Sequence, residues 1–397
     1  MKNKFMSLFA LLGMSSPLLA SSVQEGWGQQ SMDNEAAAIK VNADSETMDA
    51  EKKETNKISE FAKKAAPTIK FGGYITAKYS IDDRKGESSN GGFDLRYLRL
   101  YASGYCFKDF FYRFQLEACG SPNVDKGARV LDAFVEWQKY DFLKIKMGQF
   151  KRPFSFENPY NPLNVGFGAY SQATTKLAGM SDRVGEHGSG GRDLGLQFQG
   201  DLLKDRNDGH AWLHYQVGMF NGQGINHKDK NKFKDVIGGL WFSPIKDLAI
   251  GGFGWNGRYT NEGYQEDQNM LKEVKRVRWG AGLKYESKWT VRGEYMSSIG
   301  RNIKDASAPN HADAWYAAIG APLFKNFKLY GRWDIYRNDL SWNSSKTNYG
   351  VSANYSFCKN LIFQLNYNYT DDRGLRSAGS AKDSHYNTFD LQIYARF

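Results

Sequence analysis

From Ile69 to the last residue the chain keeps one rhythm, an apolar side chain followed by a polar one. Ile69, Phe71, Gly73, Ile75, Ala77 and Tyr79 alternate with Lys70, Gly72, Tyr74, Thr76 and Lys78. Val277, Trp279, Ala281 and Leu283 alternate with Arg276, Arg278, Gly280, Gly282 and Lys284, and Leu329, Gly331, Trp333 and Ile335 with Lys328, Tyr330, Arg332 and Asp334. The chain closes on Phe389, Leu391, Ile393, Ala395 and Phe397, set between Asp390, Gln392, Tyr394 and Arg396. Successive side chains of a strand point to opposite faces, so each segment reads as a strand with one greasy and one charged face. A wide barrel satisfies both faces at once, with lipid outside and a wet lumen within.

The rhythm recurs about 16 times, with strands predicted to start near 69, 93, 108, 128, 142, 192, 211, 234, 247, 275, 289, 312, 325, 346, 360 and 385. The connections sort by parity. Tight turns such as Tyr140-Asp141, Ser243–Asp247, Glu286–Lys288 and Cys358-Lys359 follow even-numbered strands. Longer polar segments, 82–92, 151–191, 221–233, 259–274, 300–311 and 372–384, follow odd-numbered ones, and 204–210 is intermediate. Short turns on one rim and long loops on the other belong to a transmembrane barrel, whereas a sandwich or propeller has no reason to obey this parity. The expected fold is all-β, a 16-stranded antiparallel transmembrane β-barrel over residues 67–397.

Composition agrees. Mean hydropathy is −0.61, too polar for a bundle of spanning helices, and aromatics make up 15% of the chain, as belts at two membrane interfaces require. Phe5 to Ala20 is apolar, follows Lys2 and Lys4 and exits through Leu18-Leu19-Ala20, which predicts a signal peptide over 1–20 and export. Residues 21–66 are polar and read as a periplasmic linker or short helix. Residues 1–66 hold eight Lys/Arg and nine Asp/Glu, so the +10 total leaves +11 on the barrel region. Cys106, Cys119 and Cys358 read as packing residues. The first two are expected at opposite ends of one strand, about 40 Å apart and too far to pair. His210 and His214 have a metal-like spacing only on a helix, and they fall in a turn and strand.

Several blocks resemble the phosphate-selective porin O and P family: Phe93-Asp94-Leu95-Arg96-Tyr97-Leu98-Arg99-Leu100, Leu131-Asp132-Ala133-Phe134-Val135-Glu136, Gly148-Gln149-Phe150-Lys151-Arg152-Pro153-Phe154-Ser155, Arg192-Asp193-Leu194-Gly195 and Phe220-Asn221-Gly222-Gln223-Gly224. The resemblance implies a trimeric outer-membrane porin whose third external loop folds inward. It implies small anions such as phosphate or polyphosphate as solutes, and recognition by the barrel-assembly machinery through the terminal Phe397. The longest odd-side segment, 151–191, is indeed the third. One departure stands out: the family often has adjacent arginines in the first block, where this chain has Arg96 followed by Tyr97.

Passage of anions needs fixed positive charge between walls of low polarizability, and arginine's fork of donors suits oxyanions. The candidate pore-lining residues are Lys70, Lys78, Arg96, Arg99, Arg113, Lys144, Lys146, Lys151, Arg152, Arg276, Arg278, Arg292 and Arg332. The same faces carry Asp94, Glu117, Asp132, Glu136, Asp193, Glu294, Asp334 and Asp390, so ion pairs that stiffen a wide barrel are the competing role for each. No cofactor, metal, nucleic-acid partner or catalytic arrangement is expected. The alternative to a porin is a non-conducting barrel with a surface-binding or structural role.

Overall fold

The computed structural model describes residues 67–85, 91–119, 127–266, 268–380 and 382–397. The expectations for 1–20 and 21–66 lie outside the described residues.

Sixteen antiparallel strands close into one barrel, each paired with its sequence neighbours and β1 paired with β16. They are β1 Lys70–Asp82, β2 Gly91–Phe107, β3 Phe110–Glu117, β4 Arg129–Tyr140, β5 Leu143–Lys151, β6 Arg192–Lys204, β7 Ala211–Phe220, β8 Asp235–Phe242, β9 Leu248–Thr260, β10 Glu273–Glu286, β11 Thr290–Ile299, β12 His311–Phe324, β13 Phe327–Arg337, β14 Ser345–Cys358, β15 Leu361–Asp372 and β16 His385–Arg396. Every predicted start falls within two residues of the observed one. The connection 205–210 joins the short-turn rim. One placement differs: Cys106 lies on β2, and Cys119 lies just beyond β3, so the two belong to a hairpin rather than one strand. All three cysteines are free.

Register explains which face each residue takes. Ile75 pairs with Leu98 and Ala395, all outward, while Tyr74 pairs with Arg99 and Arg396, all inward. Outward apolar side chains such as Phe71, Phe93, Met147 and Leu240 are exposed, as a lipid-facing wall requires. The buried apolar cluster lies inside instead, where Phe154, Phe156, Val165, Phe167 and Leu177 of the third loop meet Phe253, Trp255, Met296 and Tyr316 of the wall.

Strict alternation fails in β2. Thr76 pairs with Tyr97 but Ala77 with Leu95, so Arg96 is an extra residue, a β-bulge. Phe93 and Leu95 face out before it, Leu98 and Leu100 after it. Arg96 and Arg99, three residues apart, therefore both serve the lumen, with Tyr97 between them.

Candidate functional site

The third external connection, 152–191, crosses the barrel interior and reaches wall strands far from its own. Its root is held by Glu294 of β11, which accepts the backbone N–H of Phe156 at 2.8 Å and of Glu157 at 3.1 Å. Farther on, the Gly168 N–H donates to Asn366 of β15 at 2.8 Å, and Asn354 of β14 donates to the Gly166 carbonyl at 2.9 Å. Leu163, in a 3₁₀ turn over Pro162–Asn164, packs with Tyr74 of β1 and Tyr394 of β16. A short helix, α1 (Gln172–Leu177), is capped by the Ser171 side chain on the Thr174 N–H, and Asp334 of β13 takes the Gln172 N–H. Asn158 ties the loop's ends by donating to the carbonyls of Arg152 and Gly191. The block that opens the loop needs Gly148 at φ +131°, where a Cβ would stand 2.2 Å from the Ala133 carbonyl.

The sequence-predicted cations separate into three groups. Arg152, Arg276 and Arg278 are 0%, 0% and 2% exposed and do not face open lumen. Arg152 binds Asp193 and Glu186, each at 2.9 Å. Arg276 binds Asp235 at 2.7 Å, Asp182 at 3.5 Å, and Glu186. Arg278 donates to Asp182 and to the Leu177 carbonyl, both at 2.7 Å. Three guanidiniums and four carboxylates thus form one nearly neutral clamp between loop and wall. Asp182, Glu186 and Asp235 were not singled out from the sequence, because nothing in their spacing announces a partner across the barrel.

A second group holds loop carbonyls. Arg292 donates to Val165 O at 2.7 Å and Asn164 O at 3.2 Å, and Arg332 to Ala169 O at 2.8 Å. Lys151 donates to the carbonyls of Asn158 at 2.7 Å and Tyr160 at 2.6 Å.

The remaining cations lie on the opposite arc. Arg99 pairs with Glu117 at 2.7 Å and donates to the Tyr74 hydroxyl at 2.7 Å. Arg96 donates to Gln392 at 3.1 Å, and Arg113 lies 4.7 Å over the Tyr101 ring. Lys78 faces Asp390 at 3.8 Å. Lys144 reaches Asp201 at 3.4 Å and Lys146 reaches Glu136 at 3.3 Å, toward the short-turn rim. Lys70 is exposed at the start of β1. Two further arginines complete the arc: Arg192 pairs with Asp132 at 2.7 Å, and Arg129 donates to the Gly188 carbonyl at 2.8 Å. Arg99, Arg113, Arg192 and Asp132 all lie within electrostatic range of Lys151. Lys78, Arg96, Arg99, Arg113, Arg129 and Arg192 stand against Asp94, Glu117, Asp132 and Asp390 on this arc. That is six cations to four carboxylates. The loop edge across from them is neutral, since Asn158 to Thr175 contains no Asp, Glu, Lys or Arg.

Residues 69–220 match the family model described as phosphate-selective porin O and P. The resemblance read from the sequence blocks is borne out over that span. No curated protein matches the chain. Among solved structures, the anion-selective porin from Comamonas acidovorans matches with TM-score 0.60 at 10% identity, covering 83% of this chain and 100% of that one. The outer-membrane channel DcaP of Acinetobacter baumannii gives 0.57 at 9% identity, covering 84% and 98%. OmpT of Vibrio cholerae, an outer membrane protein described in its trimer form, gives 0.56 at 13% identity, covering 84% and 100%. These are likenesses of fold. They agree with the closed 16-stranded barrel, and the porin O and P match covers the strands that frame the third loop.

Proposed function

We propose that the protein is an outer-membrane porin, a passive channel for small hydrophilic solutes that prefers anions. The observation that carries this reading is the asymmetry of the lumen. Of the loop's acidic side chains, Asp182 and Glu186 are held in the sealed clamp and Glu157 by Ser171, the edge from Asn158 to Thr175 is neutral, and the facing arc holds six cations to four carboxylates. Low-dielectric walls focus that surplus into the aperture. Guanidiniums lie over tyrosine rings on this arc, Arg99 over Tyr97 and Arg113 over Tyr101, and the planar fork of arginine suits oxyanions such as phosphate. Assembly as a homotrimer is part of the proposal, supported by the fold shared with the trimer form of the Vibrio protein.

Planar-bilayer recording in a salt gradient tests it. The reversal potential is expected to report anion preference, and replacing Arg96 and Arg113 together by Glu is expected to shift it toward cations while the barrel still assembles. Cation preference in the unaltered protein sinks the anion assignment. The second reading, a non-conducting barrel, draws on how completely the third loop is buried against both sides of the wall. Absence of conductance, recovered on deletion of 155–188, decides for it.

A further inference from the structure

Trp255 of β9 stands at the centre of the clamp and is 2% exposed. The guanidinium carbons of Arg276, Arg278 and Arg152 lie 4.5, 4.8 and 4.9 Å from its ring centroid, so one indole is ringed by three cations. Its Nε1 donates to Asp235 at 2.8 Å, the carboxylate that also binds Arg276 at 2.7 Å, and the Phe154 ring of the loop packs edge-on against it with centroids 5.7 Å apart. Three like charges this close repel one another, and the four carboxylates together with the electron-rich ring are what make the arrangement possible.

The hub is built rather than incidental. A Cβ on Gly257 would lie 2.1 Å from the Asp235 carboxylate, and one on Gly222 at 2.6 Å from it. One on Gly179, whose φ is +86°, would lie 2.2 Å from the Arg152 guanidinium. Glycines on β9, on the connection after β7 and in the third loop all leave room for the same group of side chains. The hub also takes hold of the loop at both ends, through Arg152 at its first residue and through Asp182 and Glu186 near its last. Elsewhere the loop is held largely through backbone carbonyls and amides on neutral or single charged partners.

We infer that Trp255 is the positioning residue of the third loop, fixing how far residues 152–191 stand from the β9–β10 wall and thereby the width of the aperture on the opposite, basic side. The inference rests on the channel reading for its second half. Trp255→Ala removes the ring that the three guanidiniums share, whereas Trp255→Phe keeps a smaller aromatic face and loses the bond to Asp235.

Full-length protein is refolded and checked for heat-modifiable migration, which reports an intact barrel. It is then compared by single-channel conductance, by reversal potential and by hydrogen exchange of the 176–187 segment. Trp255→Ala is expected to raise conductance, weaken ion preference and speed exchange, and Trp255→Phe to restore most of each. A heat-modifiable Trp255→Ala protein with unaltered conductance overturns the inference, even if exchange quickens, because the loop is then held for stability alone. Should Trp255→Ala fail to assemble, Asp182→Asn, which loosens Arg278 from the loop, is read by the same measurements against the same outcomes. If the unaltered protein does not conduct, the channel reading fails on that result, and exchange alone decides whether Trp255 positions the loop.

Discussion

Glu294 gathers four donors at the loop root: the backbone N–H groups of Phe156 and Glu157, the Ser155 hydroxyl at 3.1 Å and the Tyr316 hydroxyl at 2.8 Å. Ser155 holds φ +81°, a backbone state that non-glycine residues adopt only when surroundings impose it. A carboxylate can accept from all four, but an amide must turn its own N–H₂ either toward the Phe156 N–H or toward the trio of Ser155, Glu157 and Tyr316. Glu294→Gln is therefore expected to destabilise the loop root by about 1–3 kcal/mol. The check is the urea midpoint together with hydrogen exchange over 154–158, and an unaltered midpoint with unaltered exchange counts against the role. At this scale the sequence disclosed which residues bear charge toward the interior, because alternation sorts them. It could not disclose that Arg152, Arg276 and Arg278 would be sealed while Arg96 and Arg113 stay on the lumenal arc. That division depends on Asp182, Glu186 and Asp235, residues that meet only once a loop has crossed the barrel. Arg129 and Arg192 were missed for a simpler reason: they sit at strand ends, where alternation no longer assigns a face.

At the level of elements, the length of the third loop was legible and its path was not. The β2 bulge did leave a trace, since outward apolar residues run Phe93, Leu95, Leu98, Leu100, a step of three where two is the rule. The adjoining loops also meet: His187 of the third loop and His227 of the fourth lie with ring centroids 3.9 Å apart. His187 bonds the Ile225 carbonyl at 3.1 Å, and His227 bonds Glu262 at 3.0 Å. Burial pushes the His187 imidazole below its ordinary value of 6.5. Glu186 opposes that shift, and the facing His227 and Arg152 add to it. A base held below its unfolded value favours the folded contact fully only above that unfolded value, and the contact weakens as pH falls through it. Acidification from pH 7.5 to 5 is thus expected to loosen the two loops. Hydrogen exchange over 222–228, corrected for intrinsic rate, should quicken at pH 5 in the unaltered protein and lose that pH dependence in His187→Gln. Equal protection at both pH values in the unaltered protein rules the effect out.

For the whole molecule, strand number and connection parity were readable because dyad alternation is local, while closure is a single event between distant ends. The seam is specific. The Gly73 N–H donates to the Phe397 carbonyl at 2.9 Å, and the Phe397 N–H returns the bond at 3.1 Å. A Cβ on Gly73 would meet the Arg99 carbonyl at 2.6 Å and the Phe397 ring at 2.7 Å. The ring could swing aside, but the carbonyl belongs to the β1–β2 ladder and cannot move without parting the strands. Gly73→Val should therefore strain β1 against β2 and crowd the Phe397 ring beside the join of first and last strands, at a cost of about 1–3 kcal/mol, as inserted bulk does in a packed site. Val is itself a good strand former, so the loss reports crowding at this position and not a general dislike of the residue. Heat-modifiable electrophoresis of refolded protein and its urea midpoint supply the readout, with the lipid-facing Ala77→Val on the same strand as control. The seam variant should assemble more slowly and unfold at lower urea than the control; equal behaviour of the two shows that closure does not depend on this contact.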